Sequence, residues 1–187
     1  WTSSRVRIAD LGMAQFTYDI PLLSRDNRSG ADRIAGSVQS PDGRYIYLVS
    51  DGPRVNVINT GPGALEATHD LTTDESLPIH RGLVALSPDG ARLAIGIQTV
   101  GHDNGLADVG RIIVVDTTTW ATVADLNLDP ALPDPPMTGH SMTFSPDGSA
   151  LYISATEHKA GTVNVVDSSS VTKIDITTGA SEIVIEA

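Results

Sequence analysis

The chain has 187 residues, 23 acidic against 12 basic side chains, and a formal net charge of −11, so its surface repels phosphate backbones and nucleic acid is not an expected partner. It has no cysteine, which excludes disulfides, thiolate metal sites and cysteine nucleophiles, and no apolar stretch reaches the roughly 20 residues that span a bilayer. Hydrophobic residues make up 40% but aromatics only 4%, so the core must be built mostly from Val, Ile, Leu and Ala, a mixture that favours strands.

In chain order, residues 5–10 and 15–22 read as two strands, a half unit over residues 1–22. Strands follow at 34–39, 44–49, 54–58 and 64–70, a unit over residues 34–71. A second unit over residues 82–126 has strands at 83–86, 92–98, 111–115 and 119–126. A third over residues 140–187 has strands at 140–144, 150–155, 171–176 and 182–186. Segment 162–166 competes for the third of these. Segment 171–176 is preferred because Ile174-Asp175-Ile176-Thr177-Thr178 parallels Val115-Asp116-Thr117-Thr118. In both, Asp closes the third strand, where its carboxylate can brace the following turn. Asn59 and Asp10 hold the same place in their own units.

One tetrapeptide, Ser-Pro-Asp-Gly, links the first two strands of each unit, at Ser40, Ser87 and Ser145, with spacings of 47 and 58 residues. Pro presets φ at the second position, Asp accepts a local backbone bond, and Gly supplies a positive φ. A repeat of this length with four strands is the size of one β-propeller blade. The expected fold is therefore all-β: a propeller of four-stranded antiparallel blades, with about three and a half present. Propellers close with ~4–8 blades, so the chain is expected to be part of a larger ring, completed elsewhere in the protein or by a partner chain.

The repeats resemble the bacterial YVTN-type, or lactonase-like, β-propeller family. The resemblance rests on Ser40-Pro41-Asp42-Gly43-Arg44-Tyr45-Ile46-Tyr47 followed by Val55-Asn56-Val57-Ile58-Asn59-Thr60, and on residues 111–119, and it covers nearly the whole chain. The Trp-Asp dipeptide of WD40 blades is absent. The resemblance implies a propeller of the seven-bladed type in a secreted, periplasmic or cell-surface protein. Relatives include apparent sugar lactonases, redox-enzyme subunits and binding scaffolds, and no catalytic motif from them matches here.

In a propeller, the turns between first and second strands and between third and fourth strands share one end. The remaining loops share the other. Here the long segments (23–33, 72–78, 99–110, 127–139 and 156–170) all belong to that second end, which is the expected binding face. The five histidines, His69, His80, His102, His140 and His158, fall in or beside it. His80 and His140 stand at the start of a first strand, at the mouth of the channel. They are the candidate metal ligands, with Asp103, Asp108 or Asp134 as carboxylate partners. No H-x-H or H-x3-H spacing occurs, so the histidines are read as loop-orienting, no cofactor is predicted, and a divalent metal is the alternative. Arg33 and Arg81 hold equivalent positions and could bind a carboxylate or phosphate, or pair with Asp32 or Asp74. His102 and Asp103 sit at a loop tip. Residues 26–32 lack the EF-hand spacing, and Ser168 to Ser170 lack a nucleophile elbow.

The function expected from these features is a binding or assembly scaffold whose loop-rich face meets a protein, a glycan or a small ligand. The alternatives are part of a lactonase-like or metal-dependent enzyme with its site at the channel mouth, and a purely structural segment of a larger complex.

Overall fold

The structure, a computed structural model, describes residues 5–10, 15–21, 34–50, 54–71, 83–100, 107–127, 137–158 and 166–186. Among these there is no helix, and so none long and apolar enough to cross a membrane. Fourteen strands form three antiparallel four-stranded sheets and one two-stranded ribbon. The ribbon pairs β1 (Arg5–Asp10) with β2 (Gln15–Pro21). Sheet 1 contains β3 (Ile34–Gln39), β4 (Tyr45–Ser50), β5 (Arg54–Asn59) and β6 (Ala64–Asp70). Sheet 2 contains β7 (Leu83–Leu86), β8 (Arg92–Val100), β9 (Ala107–Asp116) and β10 (Thr122–Asn127). Sheet 3 contains β11 (Met137–Phe144), β12 (Ala150–His158), β13 (Val166–Asp175) and β14 (Ser181–Glu186). Each strand pairs with the next in sequence, so every sheet is a meander.

The three Ser-Pro-Asp-Gly turns have one geometry. In the second, Ser87 Oγ donates to Asp89 Oδ1 (2.5 Å) and accepts from the Arg92 amide (2.9 Å), while Asp89 Oδ1 also takes the Ala91 amide (3.0 Å). The Gly90 amide closes the turn on the Ser87 carbonyl at 2.8 Å, with φ at +74°. The same bonds recur around Ser40 and Ser145. The turn after the third strand is braced as expected. Asp116 Oδ1 receives the Thr118 and Thr119 amides (2.9 and 2.7 Å), and Asp175 Oδ1 receives those of Thr177 and Thr178 (2.9 and 2.7 Å). Threonine then ties the two turns together: Thr60 Oγ1 donates to the Gly43 carbonyl and Thr117 Oγ1 to that of Gly90, each at 2.8 Å.

Strand alternation sends neighbouring side chains into different cores. Leu93, Ile95, Ile97, Ile113 and Val115 face sheet 1, where they meet Tyr47, Val49, Val55 and Val57. One residue along, Ala94, Ile112 and Val114 face sheet 3 and meet Phe144, Leu151, Ile153, Ile174 and Ile176. Sheet 2 is thus covered on both sides, which is why residues 93–97 and 112–115 are nearly unbroken apolar runs. On sheet 1, Leu48 and Ile58 turn the other way and pack with Ile20 of the ribbon. Full burial of an Ile or Leu stabilises by about 1.5–3 kcal/mol, so these interfaces hold the sheets together. The first strands β3, β7 and β11 adjoin in that order, and the turns follow suit. Arg92 Nη1 reaches the Gly148 carbonyl at 3.4 Å.

Several boundaries differ from the sequence expectation; β11, for one, starts at Met137 rather than 140. Strand β10 starts at Thr122 rather than 119, because Asp116 draws residues 117–119 into the turn. The hairpins β8–β9 and β12–β13 run further than expected, pairing Val100 with Ala107 and His158 with Val166. The described parts of segments 99–110 and 156–170 are therefore strand. Their polar residues look loop-like alone, but a cross-strand partner supplies ladder bonds. Strand β13 contains most of the preferred segment 171–176 and begins at Val166, the last residue of its rival.

Candidate functional site

In the turn between third and fourth strands, the residue four past the bracing Asp or Asn needs a positive φ. Gly63 (+61°) and Gly179 (+72°) fill it in sheets 1 and 3, but in sheet 2 it is Trp120 (+60°). Among the described residues Trp120 is the one non-glycine with positive φ. A left-handed conformation costs an L-residue about 1–2 kcal/mol. The surrounding turn imposes it, since the Trp120 amide bonds the Asp116 carbonyl and the Asp116 amide bonds that of Ala121, both at 2.9 Å.

The indole projects across to sheet 1. It stacks on His69, with ring centroids 3.9 Å apart and planes at 9°, and it meets Tyr47 at 6.1 Å, tilted by 57°. Tyr47 in turn lies 6.5 Å from Tyr45. The whole chain has two Trp, four Tyr and two Phe, so three of its eight aromatics converge here. They line a cleft of about 550 Å³ between sheets 1 and 2, with Val57 and Ala67 among its apolar lining and Asp42, Glu66, Asp89, Thr117 and Thr118 as polar lining. That volume suits a small ligand.

The electrostatics of the cleft follow from the turns. The Ser40 hydroxyl and then the Arg44 amide hold the Asp42 carboxyl below its usual range. The Ser87 hydroxyl and then the Ala91 amide do the same for Asp89. Burial pushes His69 down, so its imidazole is neutral at pH 7. Burial also raises Tyr47, against a lowering hydrogen bond with Thr117, so the phenol keeps its proton. Glu66 Oε2 accepts from Asn59 Nδ2 at 2.8 Å. Among the described residues, no Lys or Arg lines the cleft.

Of the residues singled out in the sequence, the cleft contains His69. Arg33, His80, Arg81, His102 and Asp103, with Asp134, lie outside the described residues. His140 lies in β11, at the irregularity between Gly139 and Ser141, and Asp108 in β9 opposite Thr99. His158 ends β12, and Ser168 to Ser170 are strand residues of β13. Of the described histidines, His69 joins the site found here, and it does so by stacking on a residue from the turn end. Among the described residues, no three His, Asp or Glu converge as metal ligands. Sequence reasoning missed Trp120, Tyr45 and Tyr47. The available signal was Trp120 standing where the other two repeats have glycine. No protein-family model matches the chain, and no curated protein matches it.

Proposed function

We propose that the ribbon and the three sheets are successive blades of a β-propeller, and that the chain is a binding scaffold which takes a small ligand in the cleft between sheets 1 and 2. Support for the propeller comes from the repeated turns, the adjoining first strands and the apolar interfaces between consecutive sheets. Three and a half blades do not close a ring, so further blades complete it in this proposal. The opposite, loop-bearing end, with Arg33, His80, Arg81, His102, Asp103 and His140, provides a second contact surface for a protein or glycan partner.

The observation that carries the binding role is Trp120. Its two sister positions are glycine, and the turn accepts a strained backbone to hold an indole in the cleft. Strained residues gather at ligand sites because the surrounding fold can sustain the cost. An NMR screen of a small neutral and charged fragment library tests this. Hits are expected to converge on the resonances of Tyr45, Tyr47 and Trp120, and to vanish in Trp120→Gly. Hits scattered over the surface, or unchanged in that variant, would refute a binding cleft.

A further inference from the structure

We infer that the cleft is a receptor for a small organic cation of the alkyl- or quaternary-ammonium class. The inference deepens the binding role proposed above and rests on the cleft being a ligand site. Three rings, Tyr45, Tyr47 and Trp120, line it, and the negative faces of aromatic rings attract cations within about 6 Å of the centroid. Asp42, Glu66 and Asp89 add negative charge, and among the described lining residues there is no Lys or Arg to offset it; the imidazole there, His69, is engaged in its stack on one face of the Trp120 indole. The chain already uses this chemistry at the margin: the Arg44 guanidinium carbon lies 5.7 Å from the centroid of Tyr45.

A neutral sugar could also stack on these rings, but the carboxylates argue for the cation. Sugar hydroxyls need free, directional acceptors. Asp42 Oδ1 is taken by Ser40 Oγ (2.6 Å) and the Arg44 amide (3.0 Å), and Asp89 Oδ1 by Ser87 Oγ and the Ala91 amide. Glu66 Oε2 is taken by Asn59. Each carboxylate keeps its second oxygen outside these bonds, so acceptor geometry does not separate a sugar from a cation; uncompensated negative charge does, and it suits the diffuse charge of an alkylated ammonium. Among the described lining residues, an anionic ligand would meet three carboxylates and no Lys or Arg.

The test is a titration of the full chain carrying Trp1→Phe, which leaves Trp120 as the sole indole fluorophore. Three probes are compared: choline chloride, its neutral isostere 3,3-dimethyl-1-butanol, and glucose. Choline is expected to give a saturable change and to bind about tenfold more tightly than the isostere. Glu66→Gln, a substitution at an exposed side chain that does not threaten folding, is expected to weaken choline about threefold and leave the isostere unchanged. Trp120→Gly, which the turn accommodates as its sister turns do, is followed by NMR at Tyr45 and Tyr47 and should lose about tenfold. Equal binding of choline and the isostere, binding of glucose without choline, or no saturable choline response would each overturn the inference. If fragments still converge on the cleft while choline fails, the binding role stands and only the ligand class is wrong.

Discussion

Ser87→Ala removes a side chain that is 2% exposed and serves two partners at once. Its hydroxyl donates to the Asp89 carboxylate at 2.5 Å and receives the Arg92 amide at 2.9 Å. Asp89 is at the surface, so water can replace the first bond. The Arg92 amide starts the strand β8 beneath the turn, and alanine offers it no acceptor. A hydrogen bond to a charged group contributes about 1.5–3 kcal/mol, and an unsatisfied buried amide costs about 1–3 kcal/mol. Water at the carboxylate and local relaxation recover part of this, so the expected loss is about 2 kcal/mol, a fall in melting temperature of about 4–8 °C for a chain of this size. Asp89→Asn keeps an oxygen acceptor in place and should cost less. Urea unfolding of wild type and both variants at pH 7, read by far-UV circular dichroism, measures the differences. A loss under about 0.5 kcal/mol for Ser87→Ala, or a larger loss for Asp89→Asn, would mean that the serine does not brace the turn in this way.

The same turn chemistry gives an acid-side prediction in sheet 3. The Ser145 hydroxyl, then the Ser149 amide and hydroxyl, lower Asp147 to about 2. A carboxyl depressed on folding stabilises above its unfolded value of 3.8, and that contribution is lost as pH falls through about 2. The stability gap between wild type and Ser145→Ala should therefore be widest above pH 4 and narrow towards pH 2; urea midpoints across that range would show a constant gap if the carboxylate were not involved. Gly63→Ala would place a Cβ 2.0 Å from Tyr18 Cγ, displacing the ring whose hydroxyl donates to the Gly61 carbonyl at 3.0 Å. Amide exchange in β1 and β2 should then accelerate more than in sheet 3, and uniform exchange would contradict docking of the ribbon through Tyr18. Thr172 is 3% exposed and its Oγ1 has no hydrogen-bond partner among the described residues. Thr172→Val should be neutral or stabilise by up to about 1 kcal/mol in the same urea assay, and a clear loss would show that the hydroxyl is in use.

Strands and turns were legible because each Ser-Pro-Asp-Gly motif determines its own geometry within six residues. Asp116 and Asp175 likewise announced braced turns, since carboxylate and amides lie in one short segment. The cleft was not legible in that way. Tyr45, Tyr47 and His69 belong to one repeat and Trp120 to the next, and only the packing of sheet 1 on sheet 2 brings them together. Function was expected at the loop-rich end because loops there are long, whereas the cleft opens among the short turns of the other end and the adjoining residues of β4, β5 and β6. His69 shows the limit most clearly. Near the end of β6 it reads as a loop-face histidine, yet its ring lies flat on an indole from the neighbouring sheet.

The proposal that these sheets are blades of a larger propeller makes a claim about the outer face of sheet 3. Strand alternation turns Tyr152, Val171 and Lys173 away from sheet 2, and Ile185, paired with Val171, is 58% exposed. In a propeller that face meets another blade. Native mass spectrometry of the purified protein and of its Ile185→Asp variant tests this directly. The expected result is a wild-type particle heavier than 187 residues account for, either a longer polypeptide or an assembly that the substitution breaks up. A stable wild-type species at the mass of one 187-residue chain, with unfolding unaffected by Ile185→Asp, would contradict the propeller.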